Sequence, residues 1–348
     1  MTDTALASTP GSQVTGTPAT MPTSIIDVRT ATAAEWDAAW SGCDFATFFQ
    51  SREWMTMWCS LDRHGLWLDP QLLTFSDGTQ ATLPLCSRSM HKGLVRAHCV
   101  SAGGAYGGWL SAAVLGAEHA ACLTRHVLHL GNVEWLTNPF DPSVLADGTI
   151  SGKRDATDAL ALHGGIDAVV KRWTKGHRSA VPKAIRAGVA VRQAESIDDW
   201  RKYYELYRHS VQRWGESATS DHPLELFEAL CKLESRNVVL WLATLDREIV
   251  AGAVCLYASK QVSYWHGAAL EAHFHMRPVN LLLHAAITDA CARGKDWFDF
   301  GLSGGHEGVR AFKKSFGAEP LPCIYVESAT RWRRLVGAVV GLKDRVVA

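Results

Sequence analysis

At 348 residues, with 47% hydrophobic and 20% charged residues, the chain has material for two cores of about 150 residues each. Lys plus Arg and Asp plus Glu both number 35, so the net charge is zero; this excludes a bulk polycation, leaves anion recognition to a local cluster and gives no reason to expect DNA as a partner. No run approaches the roughly 18 apolar residues of a membrane span, and the nine scattered cysteines, without a C-x-x-C pair, fit a reducing cytoplasm.

Residues 1–23, rich in Thr, Ser, Ala, Gly and Pro with neither a basic n-region nor an apolar h-region, read as a disordered tail and not a signal peptide. A first unit over 24–150 follows. Its expected elements are a strand at Ile25 to Arg29, helices at Ala33 to Trp40 and Ser51 to Leu61, and two strands meeting at the Asp77-Gly78 turn. A strand at Leu94 to Val100, a glycine-rich stretch from Gly103 to Gly108, a helix from Ala113 to Leu130 and a strand at Val133 to Thr137 complete it. Asn138 to Gly152, rich in Pro, Asp and Gly, reads as the connection to a second unit over 151–328.

That unit opens with the basic segment Lys171 to Arg186, in a stretch with no acid between Asp167 and Glu195. As a helix it would gather Lys175 and Arg178 on a positive surface suited to a phosphate-bearing ligand, although charge runs are often solvated faces with no ligand at all. A strand at Val189 to Ala194 then leads to a helix capped by Ser196 and carrying Trp200, Tyr203, Leu206 and Tyr207, and a second helix begins near Pro223. Strands at Val238 to Leu245, Ile249 to Tyr257 and Val262 to Ala268 come next, then a helix from Pro278 to Gly294, whose proline and glycine suit its two ends. The remainder is a strand Trp297 to Phe300, a turn Gly301 to Gly305, a helix Glu307 to Ser315 and a strand Leu321 to Val326. An internal duplication is suggested by the similar element order of the two units. The C-terminal helix over 329–348, basic and partly apolar from Arg331 to Val347, could lie on a membrane surface or pack as an ordinary helix.

The block DWFDFGLSGGHEGVRAFKKSFGA, from Asp296 to Ala318, places a glycine-rich turn and a helix N-terminus at the carboxyl end of a strand, where backbone N–H groups and the helix dipole favour an anionic group. Phe300, Phe312 and Phe316 suit the core, and Asp299 alternates with Phe298 and Phe300, which points it to the opposite face in a structural role. Ser303 has no identifiable His and acid partners and reads first as a turn residue. His266, His273 and His275 lack Cys or carboxylate partners at ligand spacing, so no metal is expected.

The strand ending in Asp299-Phe300-Gly301, the helix bearing Phe312-Lys313 and then Phe316-Gly317, and the run from Ser263 to Gly294 with its Pro278-x-Asn280-Leu-Leu resemble the FemAB-like acyltransferases of the GNAT superfamily. The likeness covers Lys171 to Val326 well and the first unit weakly. It implies an α/β (α+β) fold of tandem GNAT-like domains, each with a mixed, mostly antiparallel sheet flanked by helices. It further implies transfer of an acyl or aminoacyl group to an amine or hydroxyl, often on a cell-envelope precursor or polysaccharide. Ordinary GNAT enzymes hold the coenzyme A pyrophosphate on a glycine-rich turn before the helix that starts here at Pro278; the segment Glu271 to Asn280 has no glycine, which puts acetyl-CoA in doubt as donor. Aminoacyl-tRNA is the alternative donor, although the chain has no room for the coiled-coil insertion that often carries tRNA in that branch, and a non-catalytic binding module is a third reading. The expected catalytic residues are Lys313 for the developing oxyanion and His266 as general base with Glu307 behind it; Phe312, Arg310, Ser303, Asn280, Arg178, Lys175 and Arg213 are candidates for substrate binding.

Overall fold

The computed structural model describes residues 22–62, 65–144, 150–215 and 221–333. In chain order the first half contains β1 (Ile25–Thr30), α1 (Ala33–Gly42), α2 (Arg52–Leu61), β2 (Trp67–Leu68), β3 (Gln71–Phe75), β4 (Gln80–Leu83), β5 (Cys86–Met90), β6 (Val95–Cys99), β7 (Tyr106–Gly107), α3 (Ala117–His129) and β8 (Val133–Thr137). The second half contains β9 (Lys153–Ala161), α4 (Gly165–Arg172), α5 (Lys175–Arg186), β10 (Ala190–Gln193), α6 (Ile197–Trp214), α7 (Leu224–Lys232), β11 (Val238–Leu245), β12 (Glu248–Tyr257), β13 (Gln261–Ala269), α8 (Pro278–Ala292), β14 (Trp297–Leu302), α9 (Glu307–Lys314) and β15 (Glu319–Glu327).

Local chemistry explains most boundaries. Thr32 caps α1 in a reciprocal box with Glu35, Ser51 caps α2 by accepting from Trp54, and Ser196 caps α6 by accepting from Asp199. Pro278 sits in the first turn of α8, where its missing N–H is not needed. The Asp77-Gly78 turn joins the antiparallel pair β3 and β4, with Gly78 at φ 85°.

The expected mixed, mostly antiparallel sheet flanked by helices is present. Its arrangement differs from two separate sheets: among the described residues twelve strands form one sheet in the order β10-β11-β12-β13-β14-β9-β15-β8-β6-β5-β2, with β7 beside β8, and β1, β3 and β4 form a separate one. β15 causes the fusion, because it pairs antiparallel with β9 on one side and with β8 of the first half on the other. Sequence reading left β9, β5 and β2 unassigned, since β9 begins with exposed charges and becomes buried only from Thr157 onward, and β5 has no clean alternation. The basic segment also divides: α4 and α5 are separate helices broken at Trp173 and Thr174.

One core cluster joins the two halves, packing Phe49, Trp54 and Tyr106 against the set formed by Tyr203, Tyr207, Phe227 and Trp265. A second packs α8 on the opposite face of β10–β14, and a third lies within the first half around Trp109 and Trp135. Among the described residues no helix is long and apolar enough to cross a membrane. The expected tail lies, through residue 21, outside the described residues, as does the expected C-terminal helix beyond Arg333.

Candidate active site

The site begins with a local failure of pairing. β13 and β14 are parallel neighbours joined by the α8 crossover, yet they pair only over Gln261 with Trp297, Val262 with Phe298 and Ser263 with Asp299. Beyond Ser263, β13 stays bonded to β12 as far as Ala269, while β14 continues beside β9. The two strands therefore splay and leave one backbone edge of β13 without a ladder partner, at the carboxyl ends where α/β folds bind ligands.

A bulge sharpens this geometry. Val254 faces His266 and Cys255 faces Tyr264, so Trp265 is the extra residue, and both Trp265 and His266 turn toward α6 and α7. Gly267 follows because a Cβ there would land on the Tyr264 hydroxyl. The splay opens into a cleft of about 290 Å³, with His266, Ser263, Asp299 and Phe300 on one wall and Phe49, Gly103 to Tyr106 and Leu136 of the first half on the other.

His266 is 7% exposed and lies among Tyr203, Tyr207, Phe227 and His222. Its Nδ1 is 2.7 Å from the Tyr203 hydroxyl, and its Nε2 is buried without a partner. Burial, helped by His222, holds the imidazole down to about 3, so it is neutral over the ordinary pH range. Asp299 stands across the splay, 1% exposed, with Oδ1 accepting from Thr157 Oγ1 and from the Gly301 N–H at 2.9 Å. Burial raises its carboxyl above the usual range against the pull of those donors and of Lys313. Tyr106, fully buried, brings a phenol from the first half beside Asp299.

The other sequence candidates are placed elsewhere. Lys313 does not reach the cleft: it is 4% exposed and its Nζ donates to the carbonyls of Gly301 at 2.6 Å and Leu302 at 2.9 Å, with Asp158 Oδ2 at 3.8 Å. Its donors are committed to the carbonyls of the turn after β14, where the ammonium acts as a staple under that turn. Ser303 donates to the same Asp158 Oδ2 at 2.6 Å. Glu307 and Arg310 are exposed on α9, and Phe312 packs on His177 and Phe316. Asn280 is buried in the first turn of α8. Arg213 donates to the Ala269 carbonyl at 3.1 Å and covers Phe274 at 4.9 Å. Lys175 and Arg178 are exposed on α5, with Arg178 donating to the Lys171 carbonyl. None of these lines the cleft.

Sequence reasoning assigned Asp299 its face correctly but missed it as the acid of the cleft, and it missed Tyr106 and Tyr203. The glycine-rich stretch around Tyr106 carried the available signal. Gly107 has no room for a Cβ because the Val100 carbonyl occupies that place, and Gly103 lies under the Trp58 ring.

The segment ahead of α8 is a 3-10 helix, Glu271–Met276, followed by Arg277 at φ 62°.

Comparison with known proteins bears on the fold. Residues 171–314 match the family described as the Acetyltransferase (GNAT) domain. The fold is similar to that of FemX, with 14% identity over 86% of this chain and 97% of that chain and a TM-score of 0.67. It is also similar to a conserved protein of unknown function from Bacteroides thetaiotaomicron VPI-5482, with 12% identity, 87% and 100% coverage and a TM-score of 0.50. The structure of L-PGS from Bacillus licheniformis aligns less well, at 12% identity, 76% and 85% coverage and a TM-score of 0.48. No curated protein matches the sequence.

Proposed function

We propose that this chain, which carries a GNAT acetyltransferase domain over residues 171–314 in a FemAB-like fold, transfers an acyl group to an amine or hydroxyl acceptor in the cleft between β13 and β14. The reading gives residues 151–328 the reaction and makes residues 24–150 the opposing wall. The observation that carries it is the splay itself: a buried imidazole whose Nε2 has no partner and a buried carboxylate line one cleft beside an unpaired strand edge.

Each part has a role in direct transfer without a covalent enzyme intermediate. The unpaired β13 backbone past Ser263 polarises the donor carbonyl through its N–H groups as negative charge develops on oxygen. With Nδ1–H donating to Tyr203, the His266 Nε2 lone pair accepts from the incoming amine or hydroxyl and aims it. So low a basicity suits orientation better than proton removal, so Asp299, whose carboxyl is raised, takes the acceptor's proton and returns it to the thiolate or hydroxyl oxygen that leaves as the donor's C–S or C–O bond breaks and the carbonyl re-forms. Lys313 acts indirectly, by fixing the turn that follows Asp299.

An acyl-CoA is the first donor to test, and the acceptor would be a small molecule or a cell-envelope precursor met in the cytoplasm. The 3-10 helix where a glycine cradle would stand favours a second donor, an aminoacyl-tRNA, whose phosphates would need the exposed bases of α5 instead. Thermal stabilisation by coenzyme A and a panel of acyl-CoAs separates these, because a ligand that binds only the folded state raises its stability. A shift that grows with one acyl chain, and transfer lost about 100-fold or more in Asp299→Asn, supports the thioester reading. No shift with any thioester moves the donor to aminoacyl-tRNA, and no transfer with either leaves a binding module.

A further inference from the structure

A second cleft, of about 310 Å³, opens two residues earlier along the same strand pair. Gln261 and Trp297 line it, while Ser263 and Asp299 line the splay cleft. Because side chains alternate along a strand, all four share one sheet face, and the clefts are offset by roughly 7 Å of strand rise. This second space does not depend on the transferase reading.

Its walls are aromatic: Phe45 and Phe140 come from the first half, Trp297 from the second, and the Phe140 and Trp297 rings lie 6.0 Å apart. Its charged lining is mainly acidic, with the carboxylates of Asp44, Asp141 and Asp296 beside the Gln261 amide. Gln261, 3% exposed, donates Nε2 to the Asp44 carbonyl at 2.9 Å. That bond fixes the amide, and its Oε1 is left buried without a partner. Asp141 is 4% exposed, and its Oδ1 accepts from the Ser143 N–H at 2.9 Å and hydroxyl at 2.6 Å. Among the described residues no ion pair compensates Asp141, and burial raises its carboxyl. Asp44 and Asp296 add carboxylates at the rim, against one cation among the described residues, Lys260.

We propose that this cleft binds an organic ammonium: a protonated amine that donates to Gln261 Oε1 and Asp141 while its apolar body lies against Trp297 and Phe140. An unmet buried acceptor costs stability that a donor would restore, a buried carboxylate without a cation favours a positive ligand, and aromatic faces attract one further. Acid alone would not define such a site; the trapped Gln261 oxygen does.

The test uses the full chain with tryptamine and phenethylamine, and with 2-phenylethanol as a neutral match, read by thermal shift and titration calorimetry. Saturable shifts from the two amines and none from the alcohol are expected. Asp141→Asn and Gln261→Met should each weaken amine affinity about tenfold or more. Because Asp141 and Gln261 are buried, Asp296→Asn at the half-buried rim provides a variant with little risk to folding, with a few-fold loss expected. Equal shifts from alcohol and amine, wild-type affinity in all three cleft variants, or no shift with either amine would each overturn the proposal.

Discussion

Replacing Lys313 by Met keeps the length of the side chain and removes its charge, which separates a structural staple from a catalytic cation. In the folded chain the ammonium donates to two carbonyls, of Gly301 and Leu302, and lies 3.8 Å from Asp158 in surroundings where both side chains are 5–6% exposed. Hydrogen bonds to a charged group contribute about 1.5–3 kcal/mol each, and removing one member of a buried ion pair costs about 3–5 kcal/mol. The ammonium is itself costly to bury, as its lowered pKa shows, and the pair with Asp158 is long. The net loss should therefore sit near the low end, about 3 kcal/mol. At about 2 °C per kcal/mol for a chain of this size the midpoint falls by about 6 °C. Thermal scanning of Lys313→Met, Asp158→Asn and the double variant measures this, and a coupling of about 1 kcal/mol or more is expected between the two sites. A variant that melts within a degree of wild type refutes the staple; if it also loses transfer entirely, the oxyanion role expected from the sequence is restored.

Other outcomes follow from the same geometry. Burial holds His266 at about 3 in the folded chain against 6.5 for a free imidazole, so stability is lost as pH falls through 6.5, by about 1.4 kcal/mol between about pH 8 and pH 5.5. His266→Gln should lose that much less over the same interval, and parallel curves would show that His266 does not titrate as described. Tyr203→Phe removes the 2.7 Å bond that orients the imidazole; about 1 kcal/mol of stability and about tenfold in kcat should go with it, and an unchanged kcat would place His266 outside the reaction. Gly267→Ala should cost about 1–3 kcal/mol in urea unfolding because its methyl meets the Tyr264 hydroxyl. Gly308→Ala in α9, where nothing lies within 4 Å, should instead stabilise by about 0.5–1 kcal/mol, so equal effects at the two sites would undo the steric account.

The sequence by itself determined the run from β10 to β15. Those elements carry long apolar periods, caps such as Ser196 and Pro278, and turn residues such as Asp246-Arg247, all local interactions within a few positions of one another. It also determined which face Asp299 occupies, because alternation along a strand needs no partner. It did not determine where Lys313 points. Helical position puts that residue on an inward stripe, but only the turn carbonyls and Asp158 of β9 decide that its ammonium is consumed beneath the site. β9 was illegible because its exposed charged start resembles a connection, and its place between β14 and β15 is fixed by pairing across more than 130 residues. The site shares that origin: Tyr106 meets Asp299, and Tyr203 meets His266, only after one continuous sheet has brought the two halves together. Spacing along the chain encodes contacts between near neighbours; contacts between distant segments depend on which surfaces the sheet leaves to be covered.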